Sequence, residues 1–341
     1  TGHKITFFDL SQNTDEITYS SVVAPIPNSF TGDFAVDSEN NLWYTNWIPE
    51  LTGMLLKFNI EKYKQDSYLV GQGMDIPLED YFEIYDFPQD LNTANGLSID
   101  ENDNVWIVDT SSSFFFKFNP NDQTFTKFVT SKPQLSTYGN ATGIIKSPIS
   151  RPYWSQTDMN GNLFFNEQTS NQLAVFDIDN EYLVEYMVPS KNPNWADCED
   201  KSKSNCGVAQ IFGFDAIDDK IWFTEWAENK IGVVDTKKPL PFNVKISDQS
   251  ITLKKGESKT ISLNLDTSPD AGNINFNSAH TASTVTMSSD ILISHTFNGS
   301  NEIIVSITAS EIALSGDYKL LLGVFNSEVN VSKYIDVTIE P

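Results

Sequence analysis

Apolar and polar positions alternate in a pattern that this chain writes four times. A short apolar strand leads through a polar turn to a hexamer: LWYTNW (42–47), VWIVDT (105–110), LFFNEQ (163–168) and IWFTEW (221–226). The register positions Asn46, Asp109, Glu167 and Glu225 lie 63, 58 and 58 residues apart. The turns DSENN, DENDN, DMNGN and the shorter DDK precede the hexamers, and a third strand such as FFFKFN (114–119) or KIGVVD (230–235) follows each. Three of the four units end in a fourth strand: FEIYDFP, TFTKFV or LVEYMVP. Four short strands repeated at the length of one supersecondary unit predict a β-propeller of four-stranded blades.

The blades fall at about 30–87, 93–130, 151–189 and 208–240. Residues 3–24 match only a third and a fourth strand, so about four and a half blades are expected. Missing upstream blades or another chain would complete the propeller, because unpaired inner edges leave backbone groups unsatisfied. Past KKPLP (237–241) the period shortens. Seven short alternating segments, from FNVKI to YIDVTIE, predict an Ig-like β-sandwich. The expected chain is therefore all-β, with a propeller at 1–240 and a sandwich at 241–341. Turns alternate between the two faces of a blade. The four hexamer ends then share a face with the connections 131–150 and 190–207, and the insertion at 61–80 lies on the other.

Charge narrows the partners. With 46 acidic against 22 basic residues, the net charge of −24 argues against nucleic acid and against anionic lipid. No apolar run approaches the ~20 residues of a membrane helix. The sequence opens on Thr1 without a signal peptide and is expected to be a processed or excised product. Cys198 and Cys206 stand in a polar loop with no further metal-ligating pattern nearby, which predicts a disulfide. A disulfide implies an extracellular or cell-surface setting. The sequons at Asn140, Asn298 and Asn330 are candidate N-glycosylation sites.

Candidate chemistry gathers at the hexamer ends. Asn46, Asp109, Glu167 and Glu225 offer hard oxygen ligands of the kind that hold calcium or magnesium. The same residues also suit the capping of strand ends. Trp47 and Trp226 flank them as candidates for a ligand face that takes a sugar or an aromatic group. No phosphate-binding glycine loop, nucleophile elbow or HExxH motif is present.

The segment IWFTEWAENKIGVVD (221–235), the Asp-x-x-x-Asn turns and the strand FEIYDFP resemble the streptogramin B (virginiamycin B) lyase group and, more loosely, NHL-type propellers. The resemblance covers about residues 2–234. SGDYKLLLGVF (315–325) resembles strands of bacterial and archaeal Ig-like surface modules. The lyase resemblance implies a histidine general base at the start of a first strand and a magnesium ion held by glutamates. Glu225 matches one such glutamate, but Phe212 stands at the histidine position. No histidine lies between His3 and His280. A phenyl ring cannot move a proton, so lyase activity is not expected. Two functions remain. One is a secreted or cell-surface binding or scaffold protein whose partner is a protein or a glycan. The other is a metal-assisted lyase or lactonase-like hydrolase using the carboxylates at the propeller mouth.

Overall fold

A computed structural model describes residues 4–8, 19–23, 28–48, 51–70, 78–139, 149–200, 206–282 and 290–341. Its antiparallel sheets follow one another along the chain in the manner of propeller blades. β1 (Lys4–Phe8) and β2 (Tyr19–Val23) pair only with each other among the described residues. β3 (Phe30–Val36), β4 (Asn41–Ile48), β5 (Thr52–Asn59) and β6 (Phe82–Asp86) form the first four-stranded sheet. The helix α1 (Ile60–Val70) interrupts it between β5 and β6. β7 (Ala94–Ile99), β8 (Val105–Asp109), β9 (Phe114–Asn119) and β10 (Thr124–Val129) form the second. The third contains β11 (Pro152–Thr157), β12 (Asn162–Glu167), β13 (Gln172–Asp177) and β14 (Tyr182–Met187). The fourth has three strands, β15 (Ile211–Ile217), β16 (Lys220–Glu225) and β17 (Lys230–Asp235).

The polar turns recur because each closes a strand pair in the same way. Asp100 accepts the backbone N–H groups of Asn102 and Asn104 at 2.9 Å and the Trp106 indole N–H at 2.8 Å. Asp37 does the same for Asn41 and Trp43, at 2.7 and 2.8 Å. Asp158 caps Asn160 and Asn162 in the third sheet, where Phe164 replaces the tryptophan. One carboxylate thus satisfies the turn's donors and fixes the aromatic ring two residues beyond them.

Those rings stack one sheet on the next. Trp43 packs with Leu97 and Phe118 of the second sheet, and Trp106 with Phe165 and Phe176 of the third. Phe164 packs with Ile221 and Phe223 of the fourth. Strands covered on both faces read as unbroken apolar runs, and all five residues of β8 are buried. β16 is different, buried and exposed in strict alternation. Trp222 has the register of Trp43 and Trp106, yet it is 46% exposed where they are 1%. Gly32 and Gly96 confirm the stacking: a Cβ there would meet Ala94 O at 2.2 Å and Ser155 N at 2.8 Å of the next sheet. At Gly213 the nearest atom is Thr224 Oγ1 of its own sheet, at 3.9 Å. The fourth sheet has a covered flank and an open one.

At the other end of the row, Ile5 packs with Leu42, Tyr44 and Phe58 of the first sheet. Phe34 is nevertheless 65% exposed, whereas its register equivalent Leu97 is 2% exposed. The bond from Asn40 Nδ2 to Glu61 Oε1 (2.7 Å) places the start of the 61–80 insertion beside the first-strand turn, as alternation of the turns requires.

Residues 242–340 build two packed sheets around one apolar core. β18 (Phe242–Ile246), β19 (Ser250–Lys254), β20 (Ser258–Thr267) and β21 (Asn275–His280) come first in the chain. β22 (Ile291–Phe297), β23 (Glu302–Ala309), β24 (Gly316–Phe325) and β25 (Val329–Glu340) follow. One sheet runs β18-β20-β23-β22; the other joins β21, β24, β25 and β19. The expected strand STVTMSS (283–289) lies outside the described residues, while β21 and β22 are strands that the alternation did not predict.

The two parts share a sheet. The first half of β25 pairs antiparallel with β14, and its second half pairs parallel with β19. Tyr334 of β25 reaches between the second and third sheets, donating to Val129 O at 2.6 Å and contacting Phe115, Phe128 and Phe176.

Candidate functional site

The four hexamer-end residues are not brought together. The Asn46 amide is fully buried and donates to Ser29 Oγ (2.5 Å) and Phe30 O (2.9 Å). Asp109 is also fully buried; it accepts the Thr93 N–H (2.8 Å) and the hydroxyls of Ser111 and Ser112 (2.8 Å each). Asn46 thus serves the start of its sheet's first strand, and Asp109 serves the approach to β7 and its own turn. Among the described residues no three carboxylate, histidine or cysteine groups are placed to hold a metal ion. Asn46 and Asp109 satisfy backbone and hydroxyl groups at the ends of their own strands.

Glu167 and Glu225 differ from the other two. One Glu225 carboxyl oxygen is buried without a hydrogen-bond partner among the described residues. Glu167 is fully buried, and neither of its oxygens meets a well-aligned donor there. The Thr130 and Ser150 hydroxyls beside it bond to each other at 2.6 Å. Its neighbour is Glu185 of β14, also fully buried. Burial first, and the adjacent Glu185 charge second, push the Glu167 carboxyl well above the usual carboxylate range. Burial lifts Glu185 to about 7, against the opposing pull of two bonds from Ser131: N–H at 3.0 Å and hydroxyl at 2.5 Å. Asn277 of β21 donates to Ser131 Oγ at 2.5 Å and to Asn330 Oδ1 at 3.4 Å. A buried carboxyl pair thus sits where the third sheet, the segment after β10 and the C-terminal sheets meet. Its sequence signal was only a glutamate inside an apolar strand.

Of the two flanking tryptophans, one faces solvent. Trp47 is buried between the first two sheets, with its ring 5.0 Å from Phe30 and its N–H on Ala94 O at 3.1 Å. It belongs to the core and not to a ligand face. Trp226 is 63% exposed and stands inside a row of rings, between Phe212 and Trp195. The row runs Trp154, Tyr153, Phe212, Trp226, Trp195, with successive centroids 6.2, 5.5, 6.3 and 5.1 Å apart. Adjacent planes are inclined by 31° to 54°, so the row is a twisted strip. Four of its five members are substantially exposed. Isolated exposed apolar side chains are ordinary, but a contiguous aromatic strip marks an interaction site.

Local structure fixes the strip. Tyr153 and Trp154 open β11, Phe212 opens β15, and Trp226 follows β16 with its N–H on Gln210 O at 3.0 Å. Trp195 ends a 3-10 turn, Pro193–Trp195, capped by the Asn192 side chain. Asn192 also donates to Glu228 Oε1 at 2.9 Å, so polar groups edge the rings. The Cys198–Cys206 disulfide closes the loop behind Trp195, with Cα atoms 5.9 Å apart. Backbone bonds from Asp197 N to Tyr138 O and from Gly207 N to Thr137 O tie the loop to the preceding connection. Closing so short a loop removes about 2 kcal/mol of unfolded-chain entropy. Replacing both cysteines with serine is expected to weaken ligand binding at the strip severalfold and to lower the unfolding midpoint by a few degrees. Unaltered binding would show that the loop needs no staple.

Of the three sequons, Asn140 lies outside the described residues. Asn298 is exposed in the turn after β22. Asn330 is buried opposite Glu185 in the β14–β25 pair, so a glycan on it has no room in the folded chain. No described helix is long and apolar enough to cross a membrane.

No family model matches the chain, and no curated protein matches it. Among solved structures the fold is similar to a streptogramin B lyase at 13% identity and a TM-score of 0.44, covering 98% of this chain and 87% of that one. It is likewise similar to a catalytically inactive virginiamycin B lyase from Staphylococcus aureus with quinupristin. There the identity is 11% and the TM-score 0.45, covering 97% of this chain and 88% of that one.

Proposed function

We propose that this is an extracellular glycan-binding scaffold protein. Its four propeller blades and one half-blade precede an Ig-like sandwich, and further blades or another chain cover the open flanks. The aromatic strip on the third and fourth blades carries this function. Flat rings supply rigid, amphipathic contact area at little conformational cost, and they suit the apolar faces of sugar rings. The Asn192–Glu228 pair at the edge of the strip supplies hydrogen-bonding groups for hydroxyls. The net charge of −24 disfavours anionic ligands, so the glycan is neutral. Phe212, where the lyase resemblance would put a general base, fits a binding surface and not proton transfer.

A glycan microarray probed with the 341-residue chain and with Trp226→Ala tests this. Discrete neutral glycans should bind the wild type, with the variant weakened by about tenfold or more. Binding confined to anionic glycans, or no binding beside capture of a protein partner, would overturn it.

A further inference from the structure

The fourth blade lacks the strand that completes the three before it. β5, β9 and β13 each carry an outer neighbour, β6, β10 and β14, whereas β17 pairs only with β16 among the described residues. A groove of about 300 Å³ lies along this edge, lined by Val233 and Val234 on one side. Val188 and Pro189 of the third blade, Pro239 and Leu240 of the following linker, and Glu328 and Val329 at the start of β25 contribute to its other walls. Ile231 and Val233 of β17 are 75% and 49% exposed, while their register equivalents in β13, Leu173 and Val175, pack in the core between the third and fourth blades. An unpaired, apolar strand edge is a template for another strand.

We propose that β17 is a docking edge for an extended strand of a partner polypeptide, which pairs antiparallel to it and completes the blade. The partner's chemistry follows from the interface already repeated three times. β14 meets β13 over six residue pairs, from Gln172↔Met187 to Asp177↔Tyr182. The incoming strand is therefore about six residues long and begins opposite Asp235. Its residues opposite Val234 and Gly232 face the groove and are apolar, as Leu183 is opposite Phe176. Main-chain bonds supply the affinity and the apolar alternation supplies the register. This edge is distinct from the aromatic strip and does not depend on the glycan reading.

Synthetic peptides of residues 81–89, 123–131 and 181–189, the three outer strands of this repeat, serve as probes. Fluorescence anisotropy against the full chain should show saturable binding of at least one of them. Ile231→Lys and Val233→Lys should each weaken it about tenfold. Hydrogen exchange of the β17 amides that do not bond to β16 should be fast in the free chain and slow with peptide bound, which keeps the test open if a variant misfolds. Failure of all three peptides to bind, or these outward amides already protected in the free monomer, would overturn the proposal. Protection that appears only with concentration-dependent dimerisation would assign the edge to a second copy and overturn it as well.

Discussion

Asp100→Ala is expected to destabilise the chain by about 3 kcal/mol, among the largest effects of any single turn substitution. The carboxylate is nearly buried and receives the backbone N–H groups of Asn102 and Asn104, the Asn104 amide and the Trp106 indole. Alanine leaves those donors without an acceptor and frees a ring that joins the second blade to the third. Asp158→Ala is the internal comparison. Its turn is more exposed, and Phe164 asks nothing of the carboxylate, so the loss there should be about 1 kcal/mol. Urea midpoints of the two variants measure the difference. Equal losses would mean that the turns do not anchor the stacking rings.

Glu185→Gln should reshape the pH dependence of stability. Burial raises the folded-state Glu185 carboxyl from 4.5 to about 7. An acid raised on folding contributes stability that is fully present below about pH 4.5 and lost as pH rises through about 7. The loss is on the order of 3 kcal/mol. Glu167 acts in the same direction, and the Tyr334 hydroxyl facing the pair is raised by burial and by both carboxyls. His280 acts in the opposite direction. Burial and the nearby Lys132 lower it from 6.5 to about 4, so its contribution fades as pH falls through that window. Comparing variant with wild type removes the histidine term. Thermal unfolding between about pH 4 and 9 should find Glu185→Gln close to wild type at the acid end and several degrees more stable above pH 8. Parallel curves for the two proteins would contradict a carboxyl raised by burial.

The repeat was legible because its signals are local. An Asp-x-x-x-Asn turn before an apolar strand states a role that each blade fulfils alone, and the structure places Asp37, Asp100 and Asp158 in that role. The disulfide was legible for the same reason. Shared register misled where convergence was assumed. Asn46 and Asp109 hold equivalent positions yet bond to groups at the ends of their own sheets' strands, and Trp47 is buried in the core. The strip was legible only at Trp226. Tyr153, Trp154, Trp195 and Phe212 come from three separate segments whose approach depends on how two blades stack. Glu185 reads as the solvent-facing residue of an outer strand. It is buried because β25 docks on that strand, which no local pattern announces. β21 escaped notice because Asn275, Asn277 and Ser278 give it a polar composition; its place on the edge of β24 is a tertiary matter.

The most direct measurement is a tryptophan-fluorescence titration of the chain with the neutral glycan that binds best on the array. Wild type, a Trp195→Ala/Trp226→Ala double variant and Trp222→Ala are compared side by side. The third is the control, since Trp222 is exposed on the open flank and makes no contact with the strip among the described residues. Saturable binding to wild type and Trp222→Ala, lost by about a hundredfold in the double variant, is the expected result. Equal affinity in all three proteins, or loss in the Trp222 variant alone, would contradict a binding face built on the aromatic strip.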